Sequence, residues 1–363
     1  MKTTTYRIVV LLLIIPLFSF SNYPIKGKYK KTKNVSKTYN TNDDTIINLK
    51  NKYGNIDIIA WNKNSIEIDV TITVSGNNES KVEDKLETIH IDFDKNSNQV
   101  YAITKIGKSK SWSSSWFSWD NSSNMQYQID YKVKMPINNV LNVTNDYGSI
   151  ILDELNGKAN IDCDYGKIII GNLNNLDNEI DIDYTNHSVI AFMEGGTINA
   201  DYSSFTVENG KNIKLNADYT KSKFENINNL EFNCDYGSLK IDELNNVNGN
   251  GDYLSISLGD VYKTVNITTD YGSIKINELK NGFEKVNINA DYTGVRIGIN
   301  KDASCNIQSD LSYGSFKYDG NFTFNKKKVK STSKEYRGFF NSNSSSSIII
   351  TDTDYGNVKL FEK

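Results

Sequence analysis

Two stretches seventeen residues apart, Asn216-Ala217-Asp218-Tyr219-Thr220-Lys221-Ser222-Lys223-Phe224 and Asn233-Cys234-Asp235-Tyr236-Gly237-Ser238-Leu239-Lys240-Ile241, share one pattern. A small residue lies two before the Tyr, an Asp directly before it, a Gly, Ser or Thr after it, and apolar residues follow at alternate positions. Outward from this pair, the unit recurs with its ring at Tyr147, Tyr165, Tyr184, Tyr202, Tyr219, Tyr236, Tyr253, Tyr271, Tyr292, Tyr313 and Tyr355. Successive spacings are 18, 19, 18, 17, 17, 17, 18, 21, 21 and 42, the last being twice 21, so one turn there is degenerate or replaced by an insertion.

Three and five residues after most of these tyrosines the chain is apolar (Ile150/Leu152, Ile168/Ile170, Leu239/Ile241), with His187 and Ser222 as polar exceptions. Four residues before, another apolar residue often stands, as in Val143, Ile161, Ile198 and Phe232. Alternation with period two on both sides of a Tyr corner means two short strands per repeat. Two strands and two turns in 17–21 residues make one coil of an all-β, single-stranded parallel β-solenoid, in which each coil buries its apolar face only against its neighbours. The rival is an antiparallel meander of the same period, which near-constant coil length and a repeated small–large position disfavour. Cys163, Ala200, Ala217, Cys234, Gly251, Thr269, Ala290 and Thr353 are the small residues two before the ring. The alternation places them on the ring's own face, so the tyrosines are expected inside, or at the inner corner, stacked coil on coil.

This architecture accounts for a composition that otherwise suggests disorder. Only 38% of residues are hydrophobic, below the usual globular share, yet 11% are aromatic, which disordered chains are not. Lys52-Tyr53-Gly54 is an early copy of the corner. Residues 45–138 read as a β-rich cap module with a short helix over 78–89 (Val82, Leu86 and Ile89 on one face) and strands near 90–94, 99–106 and 125–135. The solenoid proper spans 139–363, with an insertion over 319–347 that covers a face or folds over the end. Residues 22–44 read as a flexible polar segment.

At the start, Lys2 and Arg7 precede the apolar run Ile8–Phe18 and the small residues Ser19 and Ser21. This is the pattern of a signal peptide over 1–21. Its 11 apolar residues fall short of the roughly 20 that span a bilayer. An exported protein is expected, periplasmic, cell-surface or extracellular, with no transmembrane segment in the mature chain. Formal net charge is −3 and becomes more negative once Lys2 and Arg7 leave, so no global basic field points to nucleic acid. The basic stretch Lys326–Lys330 reads as a solvated loop.

Candidate chemistry is sparse. Asp146, Asp164, Asp183, Asp201, Asp218, Asp235, Asp252, Asp270, Asp291 and Asp354 form a column that reads as turn-opening residues accepting backbone N–H bonds, or as a cation or glycan ladder. The spacing lacks the compact oxygen cluster of a calcium site, and no metal or cofactor is expected. Lys223, Lys240, Lys275, Arg296, Lys317 and Lys359, four after the Tyr, read as keeping the outer face soluble. Cys163 and Cys234 share a phase four coils apart, about 19 Å, beyond the ~7 Å that a disulfide tolerates. With Cys305 they read as small core residues. Neither His90 nor His187 has a catalytic set around it, and His187 is expected in the core or at a corner. Trp112, Trp116, Phe117 and Trp119, set among serines, are the speculative binding residues: exposed, they would stack on sugars or enter a membrane interface; buried, they would pin a hairpin.

The stretch Tyr53-Gly54-Asn55-Ile56-Asp57-Ile58-Ile59-Ala60-Trp61-Asn62-Lys63-Asn64-Ser65-Ile66-Glu67-Ile68 and the late Ile348-Ile349-Ile350-Thr351-Asp352-Thr353-Asp354-Tyr355-Gly356-Asn357-Val358-Lys359-Leu360 resemble the bacterial putative-adhesin family of β-strand-repeat proteins, akin to the heads of some autotransporter adhesins. Relatives often carry a Gly-rich run before the final coil; here it is Asn341–Ser347. The resemblance implies the coil and a surface role, adhesin-like binding or scaffolding toward a cell-surface glycan or protein, and carries over no binding residue. The alternatives are a polysaccharide lyase or hydrolase on a parallel β-helix and a periplasmic envelope-stress accessory protein.

Overall fold

The computed structural model describes residues 27–107 and 125–363, and in them 26 strands form a single continuous sheet system beside one helix. Parallel in-register pairing settles the choice between solenoid and meander. Leu141–Asp146 pairs with Ala159–Asp164, and the following strands pair in the same way, each with its equivalent one coil on, as far as Lys285–Asp291. The same holds beyond the Tyr corner, where Ser149–Leu155 pairs with Lys167–Leu173. Each coil therefore contributes to two parallel ladders. Their inward residues (Ile161, Ile168, Leu215, Val207, Ile241, Ile276) are buried in one core that runs the length of the solenoid.

Outward columns repeat as faithfully. Asn142 Nδ2 donates to Asn48 Oδ1 (2.9 Å) and Asn160 Nδ2 to Asn142 Oδ1 (2.6 Å). Further ladders run Asn229 to Asn212, Asn246 to Asn229, and Thr264 to Asn246, at 2.7–2.8 Å. An amide both donates and accepts, so it can bond to its own copy on either side, as in stacked cross-β ladders. This is the physical reason for an Asn-rich chain. Where Glu179 replaces the next amide, the ladder stops and Asn160 Oδ1 has no hydrogen-bond partner.

The two ends are built alike. At the N-terminal end the strands are β1 (Tyr29–Asn40), β2 (Ile46–Lys52), β3 (Ile56–Trp61) and β4 (Ser65–Gly76), then the helix α1 (Glu79–Thr88), β5 (Ile89–Lys95), β6 (Gln99–Ile106) and β7 (Gln126–Pro136). The β2/β3 coil is wedged between the solenoid and an outermost coil made by β6 and β7. Antiparallel β5 covers β6, β4 covers β7, and β1 adds to β4. At the other end, Ile348–Asp354 inserts between Lys285–Asp291 and Cys305–Ser312, so the last coil in sequence is the penultimate one in space. The hairpin Phe322–Val329/Ser333–Phe340 lies antiparallel on Cys305–Ser312. Arg337 fastens it with two bonds to the Asp310 carboxylate, 2.9 and 2.7 Å. The spacing of 42 is thus an insertion that covers the solenoid's end.

Two readings change here. Tyr29–Asn40, expected as a flexible segment, is an edge strand. Lys326–Lys330, expected as a solvated loop, lies largely in another, the strand Phe322–Val329. Both outermost strands are rich in lysine (Lys30, Lys31, Lys33 and Lys37; Lys326, Lys327 and Lys328), which keeps an open sheet edge from pairing with another chain. An edge strand needs no apolar face, so polarity conceals both. The helix forms as expected: Asn78 caps it by accepting from Lys81 N–H, Val82 and Leu86 are buried, and Lys31 ties it to β1 through Glu79 and Glu83 (2.8 and 3.0 Å).

Close stacking makes particular glycines obligatory. A Cβ at Gly171 would lie 1.8 Å from the Asp153 carbonyl of the preceding coil, whereas one at Gly294 meets nothing within 4 Å. Gly171→Ala is expected to cost about 1–3 kcal/mol and Gly294→Ala to cost nothing, read as the difference between their urea-unfolding midpoints. Equal effects would contradict the stacking.

Candidate functional site: the tyrosine ridge

In the strand ending Leu215-Asn216-Ala217-Asp218, Leu215 and Ala217 face in and Asn216 and Asp218 face out. Continued alternation would send Tyr219 inward. Instead Tyr219 adopts a left-handed backbone, φ 53°, which ends the strand and throws its ring outward. In spatial order Tyr53, Tyr147, Tyr165, Tyr184, Tyr202, Tyr219, Tyr236, Tyr253, Tyr271, Tyr292, Tyr355 and Tyr313 all do the same, with φ between 50° and 62°. These residues are 38–58% exposed. The expected interior spine of rings is therefore an exterior ridge. Alternation predicts side-chain direction only while the backbone stays extended.

The small residues two before most of the rings serve a different neighbour. They face the inside of a narrow, polar corner, where Cys163 Sγ meets the Gly148 carbonyl at 3.5 Å and Thr269 Oγ1 donates to the Gly251 carbonyl. The residue after the ring is constrained too. A Cβ at Gly148 would lie 1.8 Å from the Gly54 carbonyl. Where a hydroxyl replaces Gly, it accepts a backbone N–H from the neighbouring coil: Thr185 N–H to Ser203 Oγ (3.0 Å), Ser203 N–H to Thr220 Oγ1 (3.1 Å).

The rings stack without a break. Centroids are 4.8–5.1 Å apart and planes differ by 1–9° from Tyr53 through Tyr355 to Tyr313. Tyr127 closes the first ring edge-on at 5.1 Å. A left-handed backbone costs a residue with a Cβ about 1–2 kcal/mol. Each stacked pair returns about 0.5–1.5 kcal/mol, so the column roughly offsets its own strain. The backbone N–H of each of these tyrosines except Tyr313 also bonds across coils, Tyr219 N–H to the Asp235 carbonyl at 3.0 Å for example; that of Tyr313 bonds to the Thr332 carbonyl.

The Asp column runs along one flank of the ridge. From Asp201 onward each carboxylate accepts the N–H of the next Asp: Asp218 to Asp201 (3.2 Å), Asp252 to Asp235 (2.7 Å), Asp270 to Asp252 (3.1 Å), Asp354 to Asp291 (3.1 Å). The bonds run between coils, not within one turn. Among the first members Asp146 pairs with Lys52, while Asp162 and Asp181, one column over, join Asp164, Asp183, Asp201 and Asp218 around a shallow acidic groove. Burial first, then neighbouring carboxylates, raise Asp162, Asp164 and Asp183 above the ordinary carboxylate range. Among the described residues no group of three or more His, Cys, Asp or Glu is placed to hold a metal ion.

Other sequence candidates fall outside this ridge. His187, expected in the core or at a corner, is exposed with φ 59°, because one extra residue in its corner hands the inward place to Ser188. His90 is exposed beside Asp92 at 3.5 Å. Cys163, Cys234 and Cys305 are free and buried, and burial pushes each thiol up to about 12. Trp112, Trp116, Phe117 and Trp119 lie outside the described residues, as does the leader. No helix among the described residues is long and apolar enough to cross a membrane. The exposed ring column is the feature that sequence reasoning misplaces. Its signal is the Gly, Ser or Thr after every ring but Tyr253, where Leu254 stands, which marks a tight corner.

No family model and no curated protein matches the chain. Among solved structures it is similar to a "putative cell adhesion protein" from Clostridium sporogenes ATCC 15579, at 11% identity, 92% of this chain, 100% of that chain and a TM-score of 0.20. It is also similar to a "putative adhesin" from Parabacteroides distasonis ATCC 8503 (11%, 91% and 97%, 0.21) and another from Bacteroides fragilis NCTC 9343 (11%, 90% and 97%, 0.21). Likeness at this level carries no argument about what this chain does.

Two measurements check the site. Because Asp164 holds its proton to higher pH in the folded state than in the unfolded one, its contribution to stability is greatest in acid and is lost as pH rises through its native pKa. Asp164→Asn should therefore raise stability at pH 7 by roughly 0.8 kcal/mol, the repulsion of two charges ~5 Å apart in water, with the gain gone near pH ~3 in urea titrations. The three thiols should resist Ellman's reagent in the native protein and all react after unfolding. A disulfide between Cys163 and Cys234 would refute the stacking order.

Proposed function

We propose that the protein is an exported, non-catalytic β-solenoid that binds or scaffolds at a surface, adhesin-like in role, and that the tyrosine ridge is its contact surface. The observation that carries this reading is the half-exposed column of twelve stacked rings. Gly or Asn would form the left-handed corner at little or no strain. Tyr there gains only what stacking returns, yet leaves a straight aromatic and hydroxyl-bearing rail roughly 50 Å long at one strand spacing per ring. Tyr supplies large, rigid, amphipathic contact area at low entropic cost, and exposed aromatic surface on this scale marks interaction sites. A leader-type N-terminus supports export, and a cell-surface glycan or protein is the partner the rail suits.

The test is a glycan array, with whole-cell binding beside it, for the wild-type protein, a Tyr202→Asn/Tyr219→Asn/Tyr236→Asn variant and a Trp112→Ala/Trp116→Ala/Trp119→Ala variant. Asn tolerates the left-handed corner, so the first variant removes rings and keeps the fold. Binding lost by about tenfold or more in the Tyr variant alone supports the ridge. Loss confined to the Trp variant moves the site to that segment. Turnover of a bound saccharide, seen as new reducing ends or unsaturated products, would replace this reading with the lyase or hydrolase.

A further inference from the structure

On the face that follows the Tyr corner, the outward position four residues after the ring brings Lys275, Arg296, Lys359 and Lys317 onto four successive coils, directly opposite one another. Like charges facing each other on neighbouring strands destabilise a sheet. Elsewhere the protein answers such charges. In the same column Lys223 pairs with Glu225 (2.7 Å) and Asp242 (3.5 Å), and Lys240 with Asp242 (2.9 Å). On the adjoining surface Lys280 pairs with Asp260 and Glu278 (2.7 and 3.1 Å). Among the described residues none of the four stacked cations has a carboxylate within ion-pair distance. Lys275, Arg296 and Lys317 are exposed and Lys359, flanked on both sides, is half-buried.

The surroundings leave room for a chain. On the corner side the column is bordered by Ser273, Gly294, Asn357 and Ser315, all small or hydrogen-bonding, with open space at Gly294. On the other side the half-buried Phe361 ring sits among Arg296, Lys359 and Lys363, whose charged ends are 5.7, 5.9 and 6.0 Å from its centroid. Beyond Lys275 the small residues Ser257 and Gly259 interrupt the cation column in a shallow notch whose walls carry both signs of charge, Asp242, Glu243 and Asp260 with Lys240 and Lys275.

We propose that this column is a binding track for a linear acidic polysaccharide of the uronan type, with the cations meeting carboxylates and Phe361 meeting the C–H face of a sugar. A 1,4-linked uronan advances by about one strand spacing, ~4.8 Å, per residue and offers a carboxylate on each sugar, so several can be met by one straight column. Arg296 matches a carboxylate bidentately, which Lys does not. Phe361 favours a sugar polymer over a polyphosphate, whose backbone offers no apolar face. The track is separate from the tyrosine ridge and stands or falls independently of it.

The probe is a fluorescent oligogalacturonate titrated into the full-length protein by anisotropy, with a neutral galactan oligosaccharide and single-stranded DNA of equal charge as comparators. Wild type should bind the uronan with an affinity that falls as salt rises and should not bind the galactan. Replacing all four cations (Lys275→Gln, Arg296→Gln, Lys359→Gln, Lys317→Gln) should weaken binding by at least about tenfold. Lys275→Gln and Lys317→Gln singly should each weaken it less, and they report on the track even if the quadruple variant does not fold. Phe361→Ala should lower affinity, and Lys30→Gln, on the lysine-rich edge strand at the N-terminal end, should leave it unchanged, which separates the track from charge in general. Absence of binding by wild type, unchanged affinity in the charge variants, or DNA binding as tightly as the uronan would each overturn the proposal.

Discussion

Stacking of coils in register at one strand spacing is the constraint from which the rest of this protein follows. Every outward or inward column must be filled by side chains that tolerate their own kind directly above and below. Aliphatic residues do so by packing, and they make the core. Amides do so by donating to one copy and accepting from the next. Tyrosines do so by stacking. Carboxylates do so poorly. From Asp201 onward each accepts a backbone N–H from the next coil, Asp146 is paired with Lys52, and Asp181 accepts from Asn199 Nδ2 at 2.6 Å. Asp162 and Asp164, stacked on other carboxylates, are raised above the ordinary carboxylate range.

The same constraint explains the ends. A stack of identical coils ends in unpaired strand edges, an invitation to indefinite growth. Both ends meet it with one device. A late or early coil is wedged in second place, antiparallel strands cover the outermost coil (both its strands at the N-terminal end, Cys305–Ser312 at the other), and the strand added last carries lysines. At the C-terminal end a cluster replaces the lost coil-on-coil packing, with Phe316 against Tyr336 at 4.3 Å and Phe322 against Phe340 at 4.9 Å.

Much of this is legible in the sequence because the repeat is local. The corner, its period, the two strands per coil and the helix over 79–88 all follow from residues within about one coil of each other, and the free cysteines follow from that period. What is not legible depends on partners far along the chain or on a single dihedral. The wedge of Ile348–Asp354 between Lys285–Asp291 and Cys305–Ser312 is set by pairing between residues distant in sequence, Lys285 with Ile348 at one end of the register. Tyr29–Asn40 becomes a strand only because Ser65–Gly76 offers it an edge. Alternation carried one residue beyond the end of each strand puts the rings on the wrong side, and it misplaces His187 because that corner holds one residue more.

That single residue also joins stability to surface chemistry. A left-handed corner with a Cβ is strained, and a ring there is half-exposed with only its neighbours to lean on. Each strained, half-exposed corner costs stability; stacked twelvefold, the rings offset that cost for one another. An isolated Tyr corner would be a defect that Gly could correct, whereas a column of them is self-supporting, and each added coil strengthens the rings on either side. The ridge is therefore a cooperative property of the repeat number, and its chemistry, rigid rings with hydroxyls held at one strand spacing, can be presented only by a chain that has already committed to stacking.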